Sequence, residues 1–562
     1  MEASDGVSRS WDETYDLVIV GSGGASVIAA LVAKAAGKRP LVLEKQSLIG
    51  GSTALSGGVI WAPNNSLMKA AGIEDSYEKA AQYLDACAGP PAPGSTPERR
   101  HAFLREVPSV IDFLAKHGMA WLYARGWSDY HEGRYPGGVA DGRSVVAEIF
   151  DMRQLGPWRH RMARTPRPPV RRTEVSGLML YGRTWKSRLA MIRVGLRMTL
   201  NKLGWDLVGS GAALQGRMFK LAFERDVEIR PDSPVTELIW EGGRIAGVRV
   251  GDGASATRIR ATEGVIVDTG GFSHNLEMRE QYQPKPASTA WTHANPGDTG
   301  EVMRMAMALG GATASMDLAW WNSISLQPSG AKPGNVIDIS HPYSIVVDQS
   351  AQRYVNESTS YVAVGIAMYE RQKTVPAVPS FAILDSRHRQ FYIWGGRKPR
   401  STPPEWFSSG YMVKADSIED LARACGLDPK ALRGTVERFN GFARSGRDED
   451  FHRGESAYDN FFGDPKVGPN HNLGAIEKPP FYAIRLYPGD VGTAGGLVTD
   501  EYARVLRDDG SVIEGLYATG NATAPVVGHS YPGAGASIAA AIVFGFIAAK
   551  HALNIQSDLA PA

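Results

Sequence analysis

The segment Tyr15–Lys45, YDLVIVGSGGASVIAALVAKAAGKRPLVLEK, restricts this chain more than any other stretch. Leu17 to Val20 is a short apolar run of the buried-strand kind, Ala25 to Ala36 a helical run of small residues, and Leu41 to Leu43 a second strand. Strand, glycine turn, helix and strand in that order make a dinucleotide-binding βαβ unit. Gly21 permits the tight turn. Gly23 lets the backbone approach a pyrophosphate, whose charge then rests on amide donors at the helix N-terminus, the stretch Ser22–Gly23–Gly24–Ala25. Ser26 takes the place of the usual third glycine and is small enough for close helix-to-strand packing. Glu44, about twenty residues past the glycines, is positioned to accept hydrogen bonds from ribose hydroxyls. A glycine pattern of this sort also occurs in turns that bind nothing, so the rest of the chain decides.

After Glu44 come Lys45, then Gly50-Gly51-Ser52-Thr53, then Ser56-Gly57-Gly58, so amides and hydroxyls follow directly on the acid. Gly264 to Val267 is a further strand running into a glycine turn, Thr269-Gly270-Gly271, and GLYATGNATA (Gly515 to Ala524) contains another, with Gly520 and Asn521. Together these segments resemble the FAD site of the fumarate reductase and ketosteroid dehydrogenase superfamily. In that family the GGST segment runs beside the pyrophosphate and flavin, and a closing strand brings the chain back to the flavin. A simple NAD dehydrogenase has no such continuation, so the resemblance implies FAD, held by these residues with Gly535 and Ala536. It also implies an α/β fold: a discontinuous Rossmann-like FAD-binding domain (1–285 and 484–562) with an α+β substrate-capping domain (286–483) over the flavin, and an active site in the cleft between them. The turns in Pro488 to Gly496 look like cofactor scaffold, and Trp320 and Trp321 like the lining or roof of an apolar pocket.

Gly528-His529-Ser530-Tyr531-Pro532-Gly533-Ala534-Gly535-Ala536 offers a phenol and unobstructed glycine amides just before an apolar helix. Such donors can polarise a ketone as it becomes an enolate, and they can equally serve as a helix cap with a packed tyrosine. The segment resembles its counterpart in 3-ketosteroid Δ1-dehydrogenases, which implies that the Tyr531 hydroxyl and the Gly535 amide bind a C3 carbonyl. Arg353-Tyr354-Val355-Asn356-Glu357 is the RxxNE stretch of the wider superfamily. Four residues after its glutamate, fumarate reductases carry an arginine that delivers a proton to a dicarboxylate. Here that place holds Tyr361, and in Δ1-dehydrogenases the tyrosine takes the C2 proton. Ser128-Asp129-Tyr130 resembles the family segment with a supporting tyrosine, although Tyr130 or Tyr135 could instead pack in the cap interface. The implied activity is 1,2-desaturation of a 3-ketosteroid A ring, with hydride passing from C1 to flavin N5 and electrons then passing to an external acceptor, for which a quinone is a candidate. The runner-up is a Δ4-(5α)-3-ketosteroid dehydrogenase. A membrane-associated flavoprotein relaying electrons to a partner is the alternative from another class.

With 61 basic and 59 acidic side chains among 562 residues, the net charge of +2 does not suggest nucleic acid. Cys87 and Cys425 are far apart and lack ligand spacing, which argues against a disulfide framework and a thiolate metal site; no metal is expected. The polar, acidic N-terminus lacks the pattern of an export signal, so a cytoplasmic setting is expected. The apolar run Ala536 to Ala549 is shorter than a membrane span and reads as a buried helix. The region 157–211 is rich in Arg and Lys, and from Trp185 its apolar positions Leu189, Ile192, Leu196, Leu200 and Leu203 share one helical face. A basic amphipathic helix of this kind can lie on the inner face of a membrane, or pack on the protein itself.

Overall fold

The computed structural model describes residues 10–556. β1 (Glu13–Val20), α1 (Gly24–Ala35) and β2 (Pro40–Leu43) form in the expected order. β1 begins ahead of its apolar run because its parallel partner, Thr257–Val267, already pairs with it there, Glu13 opposite Ile259. The strand order of the main sheet is Arg504–Leu506, Val512–Ala518, Thr257–Val267, β1, β2, Glu228–Arg230. Its central pairings are all parallel. Parallel strands covered on both faces need near-continuous apolar sequence, as the fully buried β2 has. A hairpin, Val235–Glu241 and Arg244–Val250, branches antiparallel from the first half of Thr257–Val267. The sheet therefore draws strands from near both ends of the chain, as a discontinuous Rossmann-like fold requires.

The helix Ala536–Ala552 packs against α1. At Gly545 a Cβ would stand 2.7 Å from the Ala25 carbonyl oxygen and 2.9 Å from its Cβ, so a bare backbone sets the distance between the two helices. Among the described residues no helix is long and apolar enough to cross a membrane.

A second, antiparallel sheet runs Ala319–Ile324, Phe481–Thr493, Ser380–Leu384, Ser344–Val347, with Met412–Ala415 paired to the start of Phe481–Thr493. Helices Ile418–Cys425 and Pro429–Ser445 cover one face of it, sharing a core of Ile345, Phe381, Leu421 and Phe439. This is the α+β half of the fold. Pro488 to Thr493, expected in turns, is instead the far half of the long strand, because it pairs with Ala319–Ile324.

Within the basic region, helix Trp185–Lys202 starts at Thr184, whose hydroxyl accepts the Ser187 N–H. The face it turns to the protein is the small one, Ser187, Ala190 and Val194. The expected stripe points outward: Trp185 is 77 % exposed, Ile192 59 %, Leu196 63 % and Leu203 74 %. Arg171 finds an acid elsewhere in the fold at Glu148 and Arg183 at Asp464, while Arg164 pairs with Asp206 and Arg197 with Glu174 inside the region.

Candidate active site

A cavity of about 1140 Å3 runs from the end of β1 to the inner edge of the second sheet. Its nucleotide end is built of backbone. Gly21 has φ +106°, and a Cβ there would lie 2.0 Å from the Asp268 carbonyl oxygen, so only glycine allows β1 to turn beneath Thr257–Val267. Gly23 caps α1 with no side-chain hydrogen bond and no acid within the first turn. Two first-turn amides are already engaged, Gly24 N–H with Thr53 Oγ1 at 3.3 Å and Ser26 N–H with Asp268 at 2.9 Å, so an anion here would meet the glycine-loop backbone at the positive end of the helix. The Ser22 hydroxyl donates to Glu44 at 2.5 Å and accepts from the Gly50 N–H at 3.0 Å, tying the first glycine loop to the second. Burial raises the Glu44 carboxyl above the ordinary range. Lys45 reaches across to Glu301 and Thr299 at 2.7–2.9 Å.

Gly51, Ser52 and Thr53 open the short helix α2 (Gly51–Leu55) on the cavity wall, followed by Ser56, Gly57 and Gly58. The Ser52 hydroxyl donates to Asp298 at 3.1 Å. Asp298 and Asp268, both absent from the expected set, line the same wall; burial pushes their carboxyls up to about 8 and about 7. Thr269, Gly270, Gly520 and Asn521 complete this end. The Thr269 hydroxyl is buried with no hydrogen-bond partner. A bare glycine backbone at the positive end of α1, a buried ribose-type acid and an unpartnered hydroxyl on one elongated wall fit FAD, which Gly21–Gly23, Glu44, Ser52–Thr53 and Ser56–Gly58 would hold.

Five residues expected at the cofactor stand behind that wall. Gly24 and Ala25 face the C-terminal helix at Ile542 and Gly545. Ser26 binds Asp268 through both its amide and its hydroxyl. Gly271 backs onto Thr493, whose hydroxyl oxygen would be 1.9 Å from a Cβ, and Ala536 is fully buried in the first turn of its helix.

At the other end three tyrosines from distant parts of the chain meet. Ring centroids of Tyr130 and Tyr361 are 6.0 Å apart, those of Tyr130 and Tyr531 5.8 Å, and those of Tyr361 and Tyr531 5.4 Å. Tyr361 is the first residue of helix Tyr361–Gln372, which lies so close to Trp321 that a Cβ at Gly365 would meet Trp321 Cβ at 2.2 Å. Trp321 is thus behind the wall, whereas Trp320 lines it, edge-on to Tyr531 at 5.1 Å. The RxxNE stretch is scaffold: Glu357 is gripped by Arg353 and Arg453 at 2.9–3.0 Å, and Asn356 donates to Asp459 at 3.0 Å.

Asp459 follows Tyr458, a fourth phenol that sequence reasoning missed, with its ring 4.3 Å from that of Tyr130. No recognisable motif surrounds it. The Tyr130 loop is pinned by its own N–H, which donates to the Pro532 carbonyl at 2.9 Å, while Tyr135 packs on His131 away from the cluster. The Tyr531 hydroxyl lies 2.9 Å from the Ser537 hydroxyl. Gly535 has φ +85°, and a Cβ would meet the Val59 carbonyl oxygen at 1.9 Å. Burial raises the phenols of Tyr130 and Tyr361 well above their ordinary range. Such a site can hold a ketone oxygen at one phenol and present a second phenol to a neighbouring carbon.

Residues 16–538 match the FAD binding domain family. The chain is 41 % identical over 559 residues to the 3-oxosteroid 1-dehydrogenase of Mycolicibacterium smegmatis, covering 96 % of this chain and 97 % of that protein. Among solved structures it superposes with a TM-score of 0.90 on 3-ketosteroid Δ1-dehydrogenase from Sterolibacterium denitrificans in complex with 1,4-androstadiene-3,17-dione, 34 % identical, covering 97 % of this chain and 100 % of that one. The 3-ketosteroid Δ4-(5α)-dehydrogenase of Rhodococcus jostii, 22 % identical with a TM-score of 0.68 and covering 98 % and 99 % of the two chains, shares the fold. The glycine cradle, the two-sheet architecture and these similarities place the chain in the FAD-binding flavoproteins, within the 3-oxosteroid 1-dehydrogenase family.

Proposed function

We propose that this protein is an FAD-dependent dehydrogenase that introduces the 1,2 double bond into the A ring of a 3-ketosteroid, converting a 4-en-3-one to a 1,4-dien-3-one. The observation that carries the reading is the convergence of Tyr130, Tyr361 and Tyr531 on the cavity that begins at the glycine cradle. The Tyr531 hydroxyl and the Gly535 amide bind the C3 carbonyl and stabilise it as it gains enolate character. That polarisation acidifies C2, and Tyr361 takes the proton there, with Tyr130 beside it as the supporting phenol. Bound FAD supplies the acceptor for the hydrogen that leaves C1 as hydride. The walls of Trp127, Trp320 and Val336 exclude water, which strengthens each of these donors. Residues 286–483 act as the cap over this chamber, and the two electrons removed leave to an external acceptor, for which we favour a quinone.

A Δ4-(5α) desaturation is the rival, and similarity favours Δ1: 34 % identity and a TM-score of 0.90 against 22 % and 0.68. Identifying the product formed from a 4-en-3-one decides between them. Tyr361→Phe and Tyr531→Phe are expected to retain bound FAD and to lose roughly a hundredfold or more in turnover, the usual weight of a positioned acid or base. Near-wild-type rates in both would overturn the assignment.

We also propose that the exposed face of helix Trp185–Lys202 seats the enzyme on an anionic membrane surface, with Lys186, Arg188, Arg193 and Lys202 along its flanks. Supporting this is the outward aim of its large apolar side chains, a costly exposure unless something covers them. An enzyme at that interface receives a lipid-soluble substrate without an aqueous crossing.

A further inference from the structure

Two arginines of the basic region, Arg167 and Arg172, reach the cavity, and Arg172 is the one set among the phenols. Arg172 lies on the cavity wall with Tyr130, Tyr361 and Tyr531. Its guanidinium carbon is 4.9 Å from the centroid of the Trp127 ring and 3.4 Å from where a Cβ on Gly57 would stand. Its Nε is buried without a hydrogen-bond partner. Nearby Arg171 and Arg197 each bind a carboxylate, but the titratable groups that act most on Arg172 are Tyr130, Tyr361, Tyr458 and a second cation, Arg167. Guanidinium stays protonated under ordinary conditions, so an uncompensated positive charge faces a cluster of phenols.

Tyr361 is surrounded by Tyr130, Tyr458, Tyr531 and Arg172, with Asp459 beyond Tyr458. The neighbouring phenols are neutral at ordinary pH and cannot offset the charge of a phenolate; Asp459 opposes it. Arg172 is the cation of this group. We propose that Arg172 is a positioning residue of the reaction, holding negative charge on the Tyr361 oxygen by a field across the cavity, while stacking on Trp127 keeps its guanidinium at a fixed place. This rests on Tyr361 as the base. Burial raises the Tyr361 phenol, and the nearby cation opposes that shift. Its removal lets the phenol rise further, so a smaller fraction is competent at a given pH.

The test is the pH profile of kcat/KM for the FAD-loaded enzyme on a 4-en-3-one, in wild type, Arg172→Met and Arg172→Lys. The acid limb of Arg172→Met is expected to move about one pH unit or more upward, with roughly a tenfold lower rate at any pH on that limb, and Arg172→Lys to fall close to wild type. Flavin absorbance and thermal melting check that each variant is folded, with Arg172→Gln taking the place of Arg172→Met should the latter not fold. An unmoved limb in Arg172→Met, or an equal loss at every pH in both variants, would overturn the proposal and leave only packing on Trp127. The underlying reading fails separately: near-wild-type turnover in Tyr361→Phe removes the base itself, whereas an inactive Tyr361→Phe with an unmoved limb in Arg172→Met removes only the role of the arginine.

Discussion

Asp268 Oδ2 accepts both the backbone N–H and the hydroxyl of Ser26, each at 2.9 Å. The first turn of α1 is thereby fastened to the end of the central strand Thr257–Val267. Serine in place of the third glycine still packs closely and adds a bond that glycine could not make. Ser26→Ala removes the hydroxyl bond and leaves the amide bond, and should cost about 1 kcal/mol of stability, read from urea unfolding of the FAD-free protein.

Arg143 is fully buried and binds Asp129 at 2.6 Å and Asp75 at 2.8 Å. Asp129 also accepts from Trp61 Nε1 and the Val139 N–H, and it immediately precedes Tyr130. Arg143→Met strands two buried carboxylates. The expected loss is about 3–5 kcal/mol, seen as a fall in melting temperature, together with reduced turnover through displacement of Tyr130.

Burial raises Asp298 to about 8 and Asp268 to about 7. Both carboxyls thus hold protons in the folded chain that the unfolded chain has already released. Their contribution to stability is fully present below about pH 4 and is lost as pH rises through about 7 and 8. The FAD-free protein should therefore show a lower urea midpoint at about pH 8.5 than at about pH 6, and Asp298→Asn should flatten that difference.

If the outward face of Trp185–Lys202 meets lipid, charges placed there should release it. The double variant Ile192→Asp/Leu196→Asp is expected to stop floating with vesicles containing anionic lipid while its turnover of a detergent-dispersed steroid is unchanged. Wild-type protein that remains at the bottom of the gradient would refute membrane seating.

The nucleotide end of the cavity was readable in advance because backbone constraints dominate it: Gly21 and Gly58 occupy positions that a Cβ cannot enter, and Glu44 follows at the separation a βαβ unit dictates. Tyr361 and Tyr531 were readable through the segments around them. Tyr458, Arg172 and Asp298 were not, since each sits in a segment whose local pattern points elsewhere; Arg172 and Asp298 come to the cavity wall, and Tyr458 to the ring of Tyr130, only through tertiary packing. Periodicity likewise revealed the stripe on Trp185–Lys202 but not its direction. A helix exposes two faces, and here the small one, Ala190 and Val194, goes inward because it allows a close approach. The long strand through Pro488 is a similar case, with partners supplied by a segment well before it.

The contact of Gly545 with Ala25 makes two parts of the chain far apart in sequence depend on one another. α1 lacks one of its packing surfaces until the helix Ala536–Ala552 is in place, and the main sheet lacks Val512–Ala518 without the same part of the chain. A folding intermediate in which that part has not yet docked therefore holds only an incomplete cradle for the flavin nucleotide.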